Sequence, residues 1–123
     1  MTDLLITVNE TELEAAWVET NERTRDALVD LLPVEGDAAR WGEELYMPVD
    51  MSVTPADTDT HVSVGSVAYW PDGPAICLFW GPTPASTDET PVAASPVAEV
   101  AQVADVTSLS DLTGGARLRI ELA

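Results

Sequence analysis

The sequence contains no lysine. Its five basic residues are all arginines: Arg23, Arg25, Arg40, Arg117 and Arg119. A nucleic-acid binder needs a cationic face to displace counterions from phosphate, and five cations against 22 carboxylates cannot build one. Attraction to anionic lipid is excluded on the same ground. A single cysteine, Cys77, rules out an intrachain disulfide framework. With one histidine, His61, it also rules out the usual Cys/His zinc clusters, so neither a metal nor another cofactor is expected. No run approaches the roughly 18 uncharged apolar residues of a spanning helix. The start, Met1-Thr2-Asp3, is acidic, and Leu4-Leu5-Ile6 is too short for a signal-peptide core, so a cytoplasmic protein is expected.

What is present is acid and apolar surface. The chain of 123 residues is 46% hydrophobic and carries a formal net charge of −17. That length suits one domain over residues 1–123 with a single sizeable core. The carboxylates are scattered between apolar positions, as on a solvated surface, rather than massed in a disordered acidic tail. Such a shell repels itself in dilute buffer. At about 1 M salt the Debye length falls to roughly 3 Å and most of that repulsion disappears. An acidic, lysine-free surface therefore reads as that of a halophile's cytoplasmic protein.

Alternation dominates the chain. Leu4, Ile6 and Val8 recur at the period of a strand, and Leu13, Ala15 and Trp17 do so after a turn at Asn9-Glu10, which predicts a hairpin over 4–18. Asn21 is a candidate helix cap ahead of Leu28, Leu31 and Leu32 at helical spacing, and Pro33 stops that helix. Residues 37–46 read as one strand with a bulge at Gly42. Residues 55–60 form a polar loop. Strands follow at 62–70 and 75–80, separated by the turn Pro71-Asp72-Gly73-Pro74. Residues 85–96 read as a long loop, 98–106 as a strand and 108–112 as one helical turn. Leu118, Ile120 and Leu122 face inward on a last strand. Seven or eight short strands with one or two helices predict a mainly β protein, an antiparallel β-barrel closed or nearly so, because closure removes exposed edges.

The stretch Val64-Gly65-Ser66-Val67-Ala68-Tyr69-Trp70-Pro71-Asp72-Gly73-Pro74-Ala75-Ile76-Cys77-Leu78-Phe79-Trp80-Gly81-Pro82-Thr83-Pro84 resembles the signature of a small prokaryotic cyclophilin-like family. Arg40-Trp41-Gly42-Glu43-Glu44-Leu45-Tyr46 and Ala94-Ser95-Pro96-Val97 are similar to further segments of that family. The resemblance implies a closed cyclophilin-like antiparallel β-barrel with one or two capping helices. Cyclophilins rotate X-Pro bonds against a barrier of about 20 kcal/mol, using an arginine that polarises the amide nitrogen beside an apolar pocket. Here Arg40 is followed by Leu45-Tyr46-Met47-Pro48-Val49, and the glutamine expected there is missing; the only glutamine is Gln102. No catalytic set is assigned on this basis.

The reading preferred from sequence is a barrel that binds a small molecule or a proline-containing peptide. Its candidate pocket residues are Arg40, Tyr69, Trp70 and Phe79; Trp41 and Trp80 fit either core or pocket. The alternative is a peptidyl-prolyl isomerase with a rearranged site. A third reading, an acidic barrel docking on a partner, would show a contiguous exposed apolar patch. Cys77 reads as a buried small hydrophobe, because no neighbouring cation lowers its pKa. Glu43 and Glu44 read as part of a solvated face, and His61 with Asp57 and Asp59 as an acidic loop.

Overall fold

A computed structural model describes residues 2–123. Strands β1 (Leu4–Val8) and β2 (Thr11–Trp17) form the expected hairpin, with Leu4 opposite Ala15 and Val8 opposite Thr11. Asn9 takes the left-handed conformation that this residue type tolerates, at φ 56°. Helix α1 (Glu22–Leu31) follows and buries Thr24 and Leu28. Asn21 is not its side-chain cap. It sits at φ 57° and turns its amide away from the helix, accepting from Asp57 N at 2.9 Å and donating to Asp57 O at 2.8 Å and Glu99 O at 3.1 Å.

The single strand expected over 37–46 is two strands, β3 (Val34–Arg40) and β4 (Glu44–Pro48), paired antiparallel through Ala39–Tyr46 and Arg40–Leu45. Gly42 makes a tight reversal rather than a bulge. Its φ is 63°, and a Cβ there would lie 2.7 Å from Thr83 Cα. After the short β5 (Asp59–His61) come β6 (Ser66–Trp70) and β7 (Ala75–Phe79), joined by the predicted Pro71–Pro74 turn. Strand β8 (Val92–Val103) starts six residues before the expected strand and takes up half of the expected loop. A 3-10 helix at Thr107–Asp111 matches the expected helical turn, and β9 (Ala116–Leu122) ends the chain. Leu118 and Ile120 are buried there, whereas Leu122 is 51% exposed and not an inward residue.

The strands are hydrogen-bonded in the order β2-β1-β9-β3-β4-β7-β6-β8, and β2 also pairs with β8 through Ala15–Val103 and Trp17–Ala101. The sheet thus closes into a ring of antiparallel strands, the closure expected from sequence. Strand β5 lies outside it, against β8.

Two apolar clusters lie on opposite faces of this sheet. The larger fills the ring with Leu4, Ile6, Leu45, Tyr69, Ile76, Leu78, Leu118 and Ile120 among others. The smaller consists of Val62, Ala68, Cys77, Phe79, Ala93 and Val97, on the outer face of β4-β7-β6 beneath the first half of β8. Successive strand residues face opposite sides, so β6 and β7 feed both clusters from alternate positions. No helix among the described residues is long and apolar enough to cross a membrane.

Candidate functional site

The outer cluster does not fill the space beneath β8. A cavity of about 220 Å³ remains, lined by Trp41, Glu44, Tyr46, Trp70, Ala93, Ala94 and Val97. Glu44 and Tyr46 come from alternate positions of β4, Trp70 from the end of β6, and the last three from β8. Trp41 comes from the reversal between β3 and β4, where its N–H donates to Glu44 O at 2.9 Å.

The proline- and glycine-rich segment after β7 fixes these walls. Glu43 N donates to Pro82 O at 3.0 Å and Trp80 N to Glu43 O at 3.0 Å, which pins the reversal carrying Trp41. A Cβ on Gly81 would fall 1.7 Å from Glu43 Oε2, so a larger residue there would require the Glu43 carboxylate to swing aside. On its other side the segment holds β8, because the Thr83 hydroxyl donates to Val92 O. Trp70 is tied in the same way: its Nε1–H donates to Ser95 Oγ at 2.6 Å, and Ser95 donates to Asp72 Oδ2 at 2.7 Å. Trp70 and Tyr46 meet edge-on, centroids 6.1 Å apart and planes at 80°.

Glu44 is the one ionisable carboxyl among the lining residues and is only 5% exposed. It pairs with Phe79 across to β7, which places Cys77 at the diagonal position on the same face. Burial raises the Glu44 pKa from 4.5 to about 7; the neighbouring Cys77 thiol pulls the other way but does not offset it. The Cys77 thiol is held well above its ordinary range, first by burial and then by the adjoining Glu44 carboxylate. It is therefore a protonated donor and no nucleophile. Near neutral pH the site holds one acid with a mobile proton in a half-open aromatic pocket.

Of the pocket residues expected from sequence, Trp70 lines the cavity. Tyr69 does not: being adjacent on the strand, it faces the interior of the ring, 2% exposed, and its hydroxyl donates to Met51 O at 3.1 Å. Phe79 is fully buried in the outer cluster but is not a lining residue. Arg40 also lies elsewhere. Its guanidinium donates to Gly42 O and Leu112 O and stacks over the Trp80 ring at 5.5 Å. Trp41 proves a wall of the cavity and Trp80 a core residue, 7% exposed. Glu44 is no part of a solvated face, whereas Cys77 is buried as expected. His61 stays exposed beside Asp59, at 3.8 Å. The signal for Glu44 is its period-two spacing from Tyr46 on β4, an acid alternating onto the same face as an aromatic.

The family described as Cyclophilin-like matches residues 2–121. This chain belongs to that cyclophilin-like family. The hypothetical protein AF2241 from Archaeoglobus fulgidus, known from a solution structure, is 33% identical over 99% of this chain and 95% of its own, with a TM-score of 0.81. The structure of McbB in complex with tryptophan aligns at 14% identity and a TM-score of 0.72, over 96% of this cyclophilin-like chain and 44% of McbB, and shows likeness of fold alone. No curated protein matches the sequence.

Proposed function

We propose that this cyclophilin-like protein binds a small organic molecule in the cavity beneath β8, in a salt-rich cytoplasm. The observation that carries the reading is a half-open pocket of about 220 Å³ walled by Trp41, Tyr46 and Trp70 with one buried acid, Glu44. Small-molecule sites are concave and mostly apolar, with a few placed polar groups. The volume suits a compact molecule better than a peptide.

The isomerase alternative finds less support. An X-Pro isomerase of cyclophilin type needs a guanidinium beside an apolar pocket. No arginine is among the lining residues, and Arg40 is spent on Gly42 O, Leu112 O and the Trp80 ring. Gln102 is also occupied, donating to Val64 O and accepting from Ser63 Oγ. A protease-coupled Ala-Pro peptide assay in high salt is expected to show no catalysis; turnover like that of a true cyclophilin would reverse this judgement.

The four tryptophans report on binding directly. In ¹H–¹⁵N correlation spectra with a set of small ring compounds, binders should move the indole N–H signals of Trp41 and Trp70 and leave those of Trp17 and Trp80 in place. Trp70→Phe, which keeps the fold but removes the Ser95 hydrogen bond, should weaken those binders. A set that leaves Trp70 unmoved throughout would refute the cavity as a ligand site.

A further inference from the structure

We propose that the occupant of this cavity is a small organic cation, held among Trp41, Tyr46 and Trp70 with the Glu44 carboxylate as its counter-ion. The inference rests on the cavity being a ligand site and adds the charge class of the ligand. Three observations carry it.

The first is the aromatic lining of the half-open pocket. Tyr46 and Trp70 stand at 80° to one another and form an aromatic corner, and Trp41 adds a third ring. The negative faces of aromatic rings attract ammonium groups. The second is that the acid is uncompensated. The lining residues include no arginine, and the sequence offers no lysine. Arg40 is engaged with Gly42, Leu112 and Trp80, Arg25 with Glu22 and Asp26, and Arg117 and Arg119 with Glu35, while the fifth, Arg23, is an exposed residue of α1 and does not line the cavity. A buried carboxylate without a partner is costly, and a bound cation removes that cost. An anionic ligand would set a second negative charge against the first. The third is the whole-molecule field: a net charge of −17 draws cations inward and repels anions. A bare metal ion would meet one carboxylate and leave three aromatic walls unused, so the fitting class is an ammonium with apolar substituents.

The titratable groups facing Glu44 are the Cys77 thiol from β7 and the Tyr46 phenol from β4; β8 brings Ala93, Ala94 and Val97, and the reversal brings Trp41. Cys77, its thiol held well above its ordinary range, keeps its proton. A cation must therefore displace the proton on Glu44 itself. Binding then releases a proton, and affinity rises with pH through the Glu44 pKa of about 7.

The test compares choline with 3,3-dimethylbutan-1-ol, its neutral carbon isostere, in KCl at about 2 M to screen surface charge. The readout is the Trp70 indole signal. Choline affinity is expected to rise about tenfold from about pH 6 to about pH 8, while the alcohol binds more weakly and without pH dependence. Glu44→Gln, an isosteric change whose fold is checked by its melting curve, should weaken choline about tenfold or more and flatten its pH profile. If the alcohol binds as well as choline, or Glu44→Gln leaves choline affinity unchanged, the cation assignment falls while the cavity remains a ligand site. If neither compound moves Trp70 and no ring compound does so, both readings fall together.

Discussion

A carboxyl taken out of water with no cation beside it holds its proton, and Glu44 does so up to a pKa of about 7. The same fact bears on stability. The unfolded chain ionises this group near 4.5, so the folded state binds the proton more tightly. Below the unfolded value both states are protonated and no cost arises. As pH rises through the folded value, the native state must expose, ionise or keep protonating the group, and stability is lost. Glu44→Gln should therefore melt above the parent protein at pH 8 or so, by about 2 kcal/mol once water in the cavity is allowed for. The two should converge near pH 4.5, the ordinary value of the carboxyl in the unfolded chain. Melting curves of both proteins across that range at constant KCl check this; equal melting temperatures at alkaline pH would show that water reaches the carboxyl freely.

Among the elements, the link between α1 and the 55–60 loop depends on one side chain. Asn21 is buried, left-handed, and bonded to Asp57 on both its backbone groups and to Glu99 O. Asn21→Ala leaves these groups unpaired and strains φ, at a cost of about 2–4 kcal/mol; Asn21→Gly keeps the conformation and should cost less. Urea midpoints distinguish the two, and an alanine variant as stable as the parent would contradict the clamp. The strands were legible wherever one face is wet and the other dry, as in β1, β2 and most of β9, or where turn residues bracket them, as in β6 and β7. The reversal at Gly42 was not, because its cause is the close approach of Thr83, distant in sequence. The first half of β8 was hidden by Ser95-Pro96, which reads as a loop. That concealment carried over to the site. An outer sheet face looks solvated until something covers it, so Glu44 read as a surface acid, and Tyr69 rather than Tyr46 was placed beside Trp70.

For the whole molecule, charge and layering decide behaviour. With 22 carboxylates against five arginines, repulsion in dilute buffer extends over about 10 Å and opposes a net stability of typically only about 5–15 kcal/mol. The melting temperature should climb steeply as KCl rises from about 0.05 to about 3 M, while the Debye length shortens below the spacing of the charges. A flat or falling melting temperature would remove the argument for a salt-rich setting. The layering has a kinetic side. Strand β8 belongs to both apolar clusters: its second half pairs with β2 and β6 in the ring, while its first half pairs with the three-residue β5 and adds Ala93 and Val97 to the four other buried residues of the outer cluster. The ring cluster, with twenty-two buried residues, is much the larger. The lid-like half can detach while the ring stays whole, an opening of far lower free energy than global unfolding. Backbone amides at 92–97 should then exchange with deuterium well before those at 98–103, although one strand carries both. An occupant of the cavity would slow the first group alone, so that the exchange clock of half a strand becomes a gauge of occupancy.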